Sequence, residues 1–455
     1  MSTDLPLQTS SSAAEFPASL DLESWASGAF QFETPLPGSK SLTLRDCAIA
    51  ALADGVSTIR YPGECDDYWR MKDCLRRLGI TVDDSVEGVV RIAGRGGDFI
   101  QGPVELNVGQ SAVTTRLLLA ITSLRPAPTT IDGHVSMRAR PNKPLVDSLT
   151  ALGATLQSSN DGHLPATVSG TRSLKGPARV PSTISSQYLT SLLIIGPLIE
   201  GGLSIEVEGE LTSKPYVDLT LDEMAKFGAE VENHGYKNLV VVPKPYRAGA
   251  IDVEGDASAA SYFAALATLH GGRITLTNLG TRTRQGDYAF FGLCERLGAT
   301  VHRSSDSTVI EGPRRLSRAF DGPVDMTSMP DVAPTLMMIA PFLPAATRIT
   351  GLATLRVKEC DRIAAPTREL RKLGVTVEEG PDFMVIQPLH PVTERADSVP
   401  TRVEIDTYHD HRIAMSFGVL GSRLPGLRIL DPGCVTKTYP NYWKDWQRAR
   451  AAPRQ

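Results

Sequence analysis

Between Leu36 and Arg45 the chain reads Pro37-Gly38-Ser39-Lys40-Ser41, with Arg45 four residues further on. A flexible turn, a cation and a hydroxyl thus stand at a helix start, with a second cation one turn later, and this is chemistry suited to holding a phosphate. It is not a P-loop: G-x-x-x-x-G-K-[ST] is absent, and Gly38 lies only two residues before Lys40. Ser185 and Ser186 open another apolar helical run. The residue three past Ser186 is Leu189 rather than the Glu or Gln of a capping box, which favours ligand binding over capping. Asp331, after Pro330, reads equally well as a helix cap, and Glu359 as an ion-pair partner of Lys358 or Arg362. His409 and His411 are spaced i, i+2, which lacks helical ligand geometry, so no metal is expected there.

The rest of the composition says what must position these groups. The chain has 455 residues, 47 Lys+Arg against 51 Asp+Glu, and a net charge of −4. Nothing in that balance draws it to nucleic acid or an acidic membrane, so an anionic ligand must be held by cations gathered locally. With 41% hydrophobic residues, disorder and fibres are excluded, and the length allows two or three domains. Six cysteines without a C-x-x-C pair point to a reduced, cytoplasmic protein. Residues 1–36 lack Lys and Arg, so neither a secretory nor a transit signal is expected. The most apolar stretches, 189–203 and 332–346, are interrupted by Pro or Gly and fall short of the ~20 residues of a membrane span.

One unit recurs six times: a helical apolar run, a Gly/Pro-containing gap, then a short β-like segment. The copies close on Ile59, Ile131, Ile205, Ile274, Ile349 and Ile429, at intervals of 69 to 80 residues. Between them a helix end with a glycine C-cap precedes a strand at Gly79, Gly153, Gly228, Gly298 and Gly374, at intervals of 70 to 76. Ser41, Ser111, Ser186, Ser258, Asp331 and Asp410, all N-cap residue types, stand 16 to 20 residues before the isoleucines. If six such helix starts face one cleft, their free N–H groups suit a small polyanion.

Nine ordered segments carry a resemblance: LPGSKS with Arg45, SMRARP at 136–141, SSQYL at 185–189, SKPYVD at 213–218, VEGDASAASYF at 253–263, MPD at 329–331, LRVKECDR at 355–362, YHDHRIAM at 408–415 and DPGCVTKTYP at 431–440. In these the chain resembles the enolpyruvyl transferases, and among them the 5-enolpyruvylshikimate-3-phosphate (EPSP) synthase family. The resemblance implies an α/β (α+β) fold of two similar domains, each of three βαβαββ units about a pseudo-threefold axis (an inside-out α/β barrel), with the active site in the cleft between them. Residues 1–36 plus 256–455 would form one discontinuous domain on the phosphoenolpyruvate side, and 37–255 the inserted domain on the shikimate 3-phosphate side. The implied reaction moves the enolpyruvyl group of phosphoenolpyruvate to the 5-hydroxyl of shikimate 3-phosphate by addition and elimination of phosphate. It needs no cofactor and no metal; small-molecule substrates, with no nucleic acid and no membrane, are the expected partners, and a monomer is expected.

Carried over by position, Lys40, Asp331, Glu359 and Lys437 would serve the chemistry, with Asp331 and Glu359 handling protons. Lys40, Arg140, Gln187, Arg362, Arg412 and Lys437 would hold phosphoenolpyruvate. Lys40, Ser41, Arg45, Ser185, Ser186, Gln187, Ser213, Tyr216, Asp331 and Lys358 would hold shikimate 3-phosphate. The match breaks at 109–118, where Gln110, Ala112, Val113, Thr115 and Leu117 replace the usual residues, and also at Leu44 and Thr354. Ala112 adds a methyl where the family's pocket has glycine, so weak inhibition by glyphosate is expected. A different cyclic acceptor and a silent binding paralogue remain alternatives. A UDP-N-acetylglucosamine acceptor is disfavoured because no loop cysteine matches that enzyme's.

Overall fold

In a computed structural model that describes residues 16–26, 29–181, 185–211, 213–389 and 402–454, each repeat isoleucine is fully buried in the second strand of its own sheet. The same neighbour recurs in every copy. A parallel strand places Ile251, Leu106, Ala178, Phe32, Val324 and Ile405 opposite Ile59, Ile131, Ile205, Ile274, Ile349 and Ile429 respectively. In the second unit the order is strand Val104–Asn107, helix Ala112–Thr122, strand Thr129–Asp132, helix Lys143–Ala151, then the hairpin Thr155–Ser159 and His163–Ser169, with one short helix, Val135–Arg138, between. This is the expected βαβαββ unit.

Among the described residues, five sheets have four strands and the sixth has three. In the sixth unit no hairpin follows the helix Tyr442–Arg450 among the described residues, and Ser19–Asp21 pairs antiparallel with Leu427–Leu430 instead. That unit is also the one without a glycine stop. The five glycines Gly79, Gly153, Gly228, Gly298 and Gly374 all have positive φ, and the residue after each donates its N–H to a carbonyl five residues back, closing the preceding helix.

Two hydrophobic cores result. One gathers buried residues from Leu42 to Val253, the other Leu22 to Leu36 together with Ala257 to Ala449. The helices Lys40–Leu52 and Ala257–His270 are buried over almost their whole length. The chain passes between the cores twice, and the two passages pair with each other. Ser39 N–H donates to Glu254 O at 2.8 Å and Asp256 N–H to Pro37 O at 2.9 Å, around a bridge between Gly38 and Gly255. A Cβ on Gly38 would stand 2.0 Å from the Tyr61 carbonyl, so only glycine permits this approach.

The helix caps differ in part from the sequence expectation. Ser111 and Asp410 do cap, accepting from Thr114 N at 3.3 Å and Arg412 N at 2.9 Å. Elsewhere the N-cap is Ser39, Ser185 or Asp256, one or two residues earlier, and Asp331 sits in a 3₁₀ turn ahead of the helix Ala333–Ile339. Ser41 and Ser186 are therefore released from capping and stand in the first helical turn, beside the cavity described next.

Candidate active site

Five of the six repeats bring a helix start to one cavity between the two cores: Lys40 and Ser41, Ala112 and Val113, Ser185 to Gln187, Pro330 and Asp331, and His411 and Arg412. The remaining one contributes through Ser258, whose hydroxyl accepts from Arg412 Nη2 at 3.3 Å. Helix starts turned to a common space supply N–H groups and partial positive charge.

Side chains from both halves meet on two carboxylates. Glu359 lies 3.3 Å from Arg140 Nη2, 2.6 Å from Arg362 Nη2 and 3.4 Å from Lys437 Nζ. Asp331 lies 3.0 Å from Arg412 Nη2, 3.2 Å from Lys358 Nζ and 3.4 Å from Arg362 Nη1. Arg362 is fixed from behind by Asp410, which takes its Nε at 2.7 Å and Nη2 at 3.0 Å. Burial alone would raise both carboxyls. It is outweighed at Asp331 by Arg412, Lys358, Arg362 and Lys40, and at Glu359 by Arg362, Arg140 and Lys437, so both are held well below the carboxylate range. Burial lowers Lys40, but Asp67 and Glu359 overcome it and hold the ammonium charged. Seven cations (Lys40, Arg45, Arg140, Lys358, Arg362, Arg412, Lys437) face four carboxylates (Asp67, Asp331, Glu359, Asp410), so the site carries a positive surplus suited to anions.

On the other side Ser185, Ser186, Ser213, Gln187 and Tyr216 line the cavity. Tyr216 Oη donates to Asp331 Oδ2 at 3.4 Å, and Ser213 Oγ to the Thr327 carbonyl at 3.5 Å, both across the cleft. Arg45 also lines it, although its guanidinium donates to Thr220 Oγ1 at 2.9 Å, Ser41 O at 2.7 Å and Tyr216 O at 3.4 Å, so it braces two helix starts as well. Every residue singled out from the sequence as a site candidate lines the cavity except Lys437, which reaches it by its ion pair with Glu359.

Sequence reasoning missed three contributors. Asp67, nearly fully buried, stands 3.3 Å from Lys40 Nζ and 3.7 Å from Lys437 Nζ, tying together cations that are distant in sequence. Its only signal is a pair of acids opening the helix Asp66–Arg77, which capping explains equally well. His411 lines the cavity with both ring nitrogens buried and without a hydrogen bond, Nδ1 standing 3.6 Å from Asp410, and burial, with Arg412, Arg362 and Lys40 adding to it, drives its pKa far down, so the imidazole is neutral. His409 instead points outward to Asp431 at 2.6 Å, and no three metal-ligating side chains come together among the described residues. Arg116 donates from Nη1 to Ser185 Oγ at 3.3 Å and to Gln187 Oε1 at 2.5 Å, while its guanidinium lies 4.9 Å from the Tyr188 ring centre.

Fold and site together define a protein of repeated α/β units whose cation-rich cavity between two cores is suited to small polyanions. A family model described as EPSP synthase (3-phosphoshikimate 1-carboxyvinyltransferase) matches residues 27–446. Proteins named 3-phosphoshikimate 1-carboxyvinyltransferase are similar along most of the chain. The one from Shewanella amazonensis is 38% identical over 414 residues, covering 90% of this chain and 94% of its own, and the one from Ralstonia pickettii is 39% identical over 415 residues with the same coverage. The solved EPSP synthase of Acinetobacter baumannii superposes with a TM-score of 0.75 at 25% identity, covering 95% of this chain and 97% of that one. An enolpyruvyl transferase from Streptomyces tendae shares the fold at 16% identity and a TM-score of 0.71. The chain belongs to the EPSP synthase family.

Proposed function

We propose that the cavity transfers the enolpyruvyl group of phosphoenolpyruvate to the 5-hydroxyl of shikimate 3-phosphate. The observation that carries this is the convergence of Lys40 and Arg140 from one half with Arg362, Arg412 and Lys437 from the other on Glu359, Asp331 and Asp67. Two small acids bearing phosphates and carboxylates need such a surplus of forked and point cations. Arg140, Arg362 and Arg412 grip the phosphoenolpyruvate carboxylate and phosphate. Ser185, Ser186 and Ser213 hold the acceptor's phosphate, Arg45, Tyr216 and Lys358 hold its ring side, and Gln187 lies between the two substrates.

In the first step Asp331 takes the hydroxyl proton, the acceptor oxygen bonds to the central carbon of phosphoenolpyruvate, and Glu359 donates a proton to its methylene. In the second the tetrahedral intermediate loses phosphate, which departs with the proton taken up by Asp331 and is steadied by Lys40 and Lys437, while a methyl proton returns to Glu359 as the double bond forms again. Glu359 can act as the acid only if its pKa rises. The arriving substrate anions do that, by drawing the charge of Arg140, Arg362 and Lys437 away from it.

We divide the chain into domains at 36/37 and 255/256, along the paired crossings, and assign their closure to the assembly of the site. The six cysteines are free thiols, which suits a reducing cytoplasm. Ala112 lines the cavity and its methyl meets glyphosate, which is longer than phosphoenolpyruvate. The test of the whole proposal is release of inorganic phosphate from phosphoenolpyruvate plus shikimate 3-phosphate, with UDP-N-acetylglucosamine and unphosphorylated shikimate as controls. Release only with shikimate 3-phosphate supports it. Release only with another acceptor, or with none, defeats it.

A further inference from the structure

One residue past Arg45, Asp46 is wholly buried, and neither of its carboxyl oxygens has a donor. Facing it from the helix Lys214–Lys226, Glu223 is buried too; its Oε1 accepts from Lys226 Nζ at 2.7 Å, and its Oε2 has no donor. The two helices are packed together at this point, since Arg45 Nε donates to Thr220 Oγ1 at 2.9 Å one turn before Glu223, and the two carboxyls act on each other electrostatically. Two buried carboxyls set beside each other, with three oxygens lacking a donor, do not readily both ionise; such pairs retain one proton between them. The helices so joined are those of the acceptor side: one bears Lys40, Ser41 and Arg45, the other Tyr216 and Thr220, with Ser213 just before it.

We propose that Asp46 and Glu223 share a single proton and act as positioning residues, clamping these two helices so that the acceptor half of the site keeps its geometry only while that proton is held. Arg45 makes a parallel tie through Thr220 and Tyr216, but a second negative charge in the clamp would push the helices apart beside it. The groups facing the pair are Arg45 and Cys47 on its own helix and Lys226 and Asp222 on the other, with Lys72 beyond Cys47 and Glu254 beyond Glu223. Burial and Glu223 push the Asp46 carboxyl well above its ordinary range, against the pull of Lys226 and Arg45, which is the direction that keeps a proton on the pair.

The acceptor consequence rests on the function proposed above; the shared proton does not. Infrared difference spectra of the full chain, wild type minus variant with aspartate and glutamate carbon-labelled in turn, should show at neutral pH one protonated carboxyl band for Asp46→Asn and the same band for Glu223→Gln; the Asp287 carboxyl, common to all three proteins, cancels. Calorimetric binding of shikimate 3-phosphate should weaken at least tenfold in the wild type as that band is titrated away. In Asp46→Asn, whose amide donates to Glu223 and cannot ionise, it should stay within threefold. No such difference band against either folded variant overturns the shared proton. The same alkaline weakening in Asp46→Asn as in the wild type overturns the clamp. A band that behaves as described in a protein that releases no phosphate leaves the shared proton standing and removes the function instead.

Discussion

Asp67→Asn removes a charge and almost no volume from the contact that links Lys40 to Lys437. At 3.3 Å and an effective dielectric near 20, the Asp67–Lys40 attraction is about 5 kcal/mol. Relaxation and the remaining attraction to Glu359 return about half of that, leaving a loss of roughly 2.7 kcal/mol, or about 100-fold in kcat/KM. The sign in pH follows. Asp67 is the first group that raises Lys40 against burial, so without it the ammonium loses its proton at lower pH. Measured by continuous phosphate release, the variant should show kcat/KM for phosphoenolpyruvate down about 100-fold at pH 7 and its alkaline limb moved toward neutrality. A variant within threefold of the wild type, with that limb unmoved, would refute the assignment of Lys40's charge to Asp67.

Other perturbations have equally definite outcomes. Ala112→Gly should lower the inhibition constant of glyphosate at least tenfold, whereas a wild-type constant already in the micromolar range would dispose of the steric explanation. Asp287, whose Oδ1 is buried without a donor, is raised from 3.8 to about 7 by burial and then by Asp331. A carboxyl raised on folding contributes stability that is full below its unfolded value and is lost as pH rises through the folded one. The Tm of Asp287→Asn minus that of the wild type should therefore climb between pH 4 and about 7 and then level off, and a flat difference would contradict it. Arg116→Ala frees Ser185 and Gln187 from their common donor, so KM for shikimate 3-phosphate should rise about tenfold, the worth of one charge-assisted hydrogen bond, with kcat changed less than threefold. Equal falls in kcat and kcat/KM would place Arg116 in the chemistry itself.

The repeat was legible because each unit repeats the same physical necessities: a buried isoleucine beside a parallel strand, and a glycine free to take positive φ where a helix must stop. The glycine signal stops at the fifth unit because the sixth ends in the helix Tyr442–Arg450 and borrows the strand Ser19–Asp21 from the other end of the chain, a pairing with no local signature. The cations were legible because each lies in a distinctive segment. Asp67 was not, since an acid in the first turn of an amphipathic helix is ordinary, and only the approach of Lys40 and Lys437 gives it work. The caps went astray by a residue or two because Ser39 and Ser41, or Ser185 and Ser186, are equally good candidates in sequence. The backbone decides between them, leaving the later serine beside the cavity.

The central claim is that cations borne on both sides of the paired crossings form one site for two small acids. A crystal structure with shikimate 3-phosphate and an unreactive phosphoenolpyruvate analogue tests this most directly. The phosphate of the first should rest on Ser185, Ser186 and Ser213, and the second should lie among Arg140, Arg362 and Arg412 with its central carbon beside the acceptor's 5-hydroxyl. Either molecule bound outside the cavity, or both bound by one half alone, would contradict it.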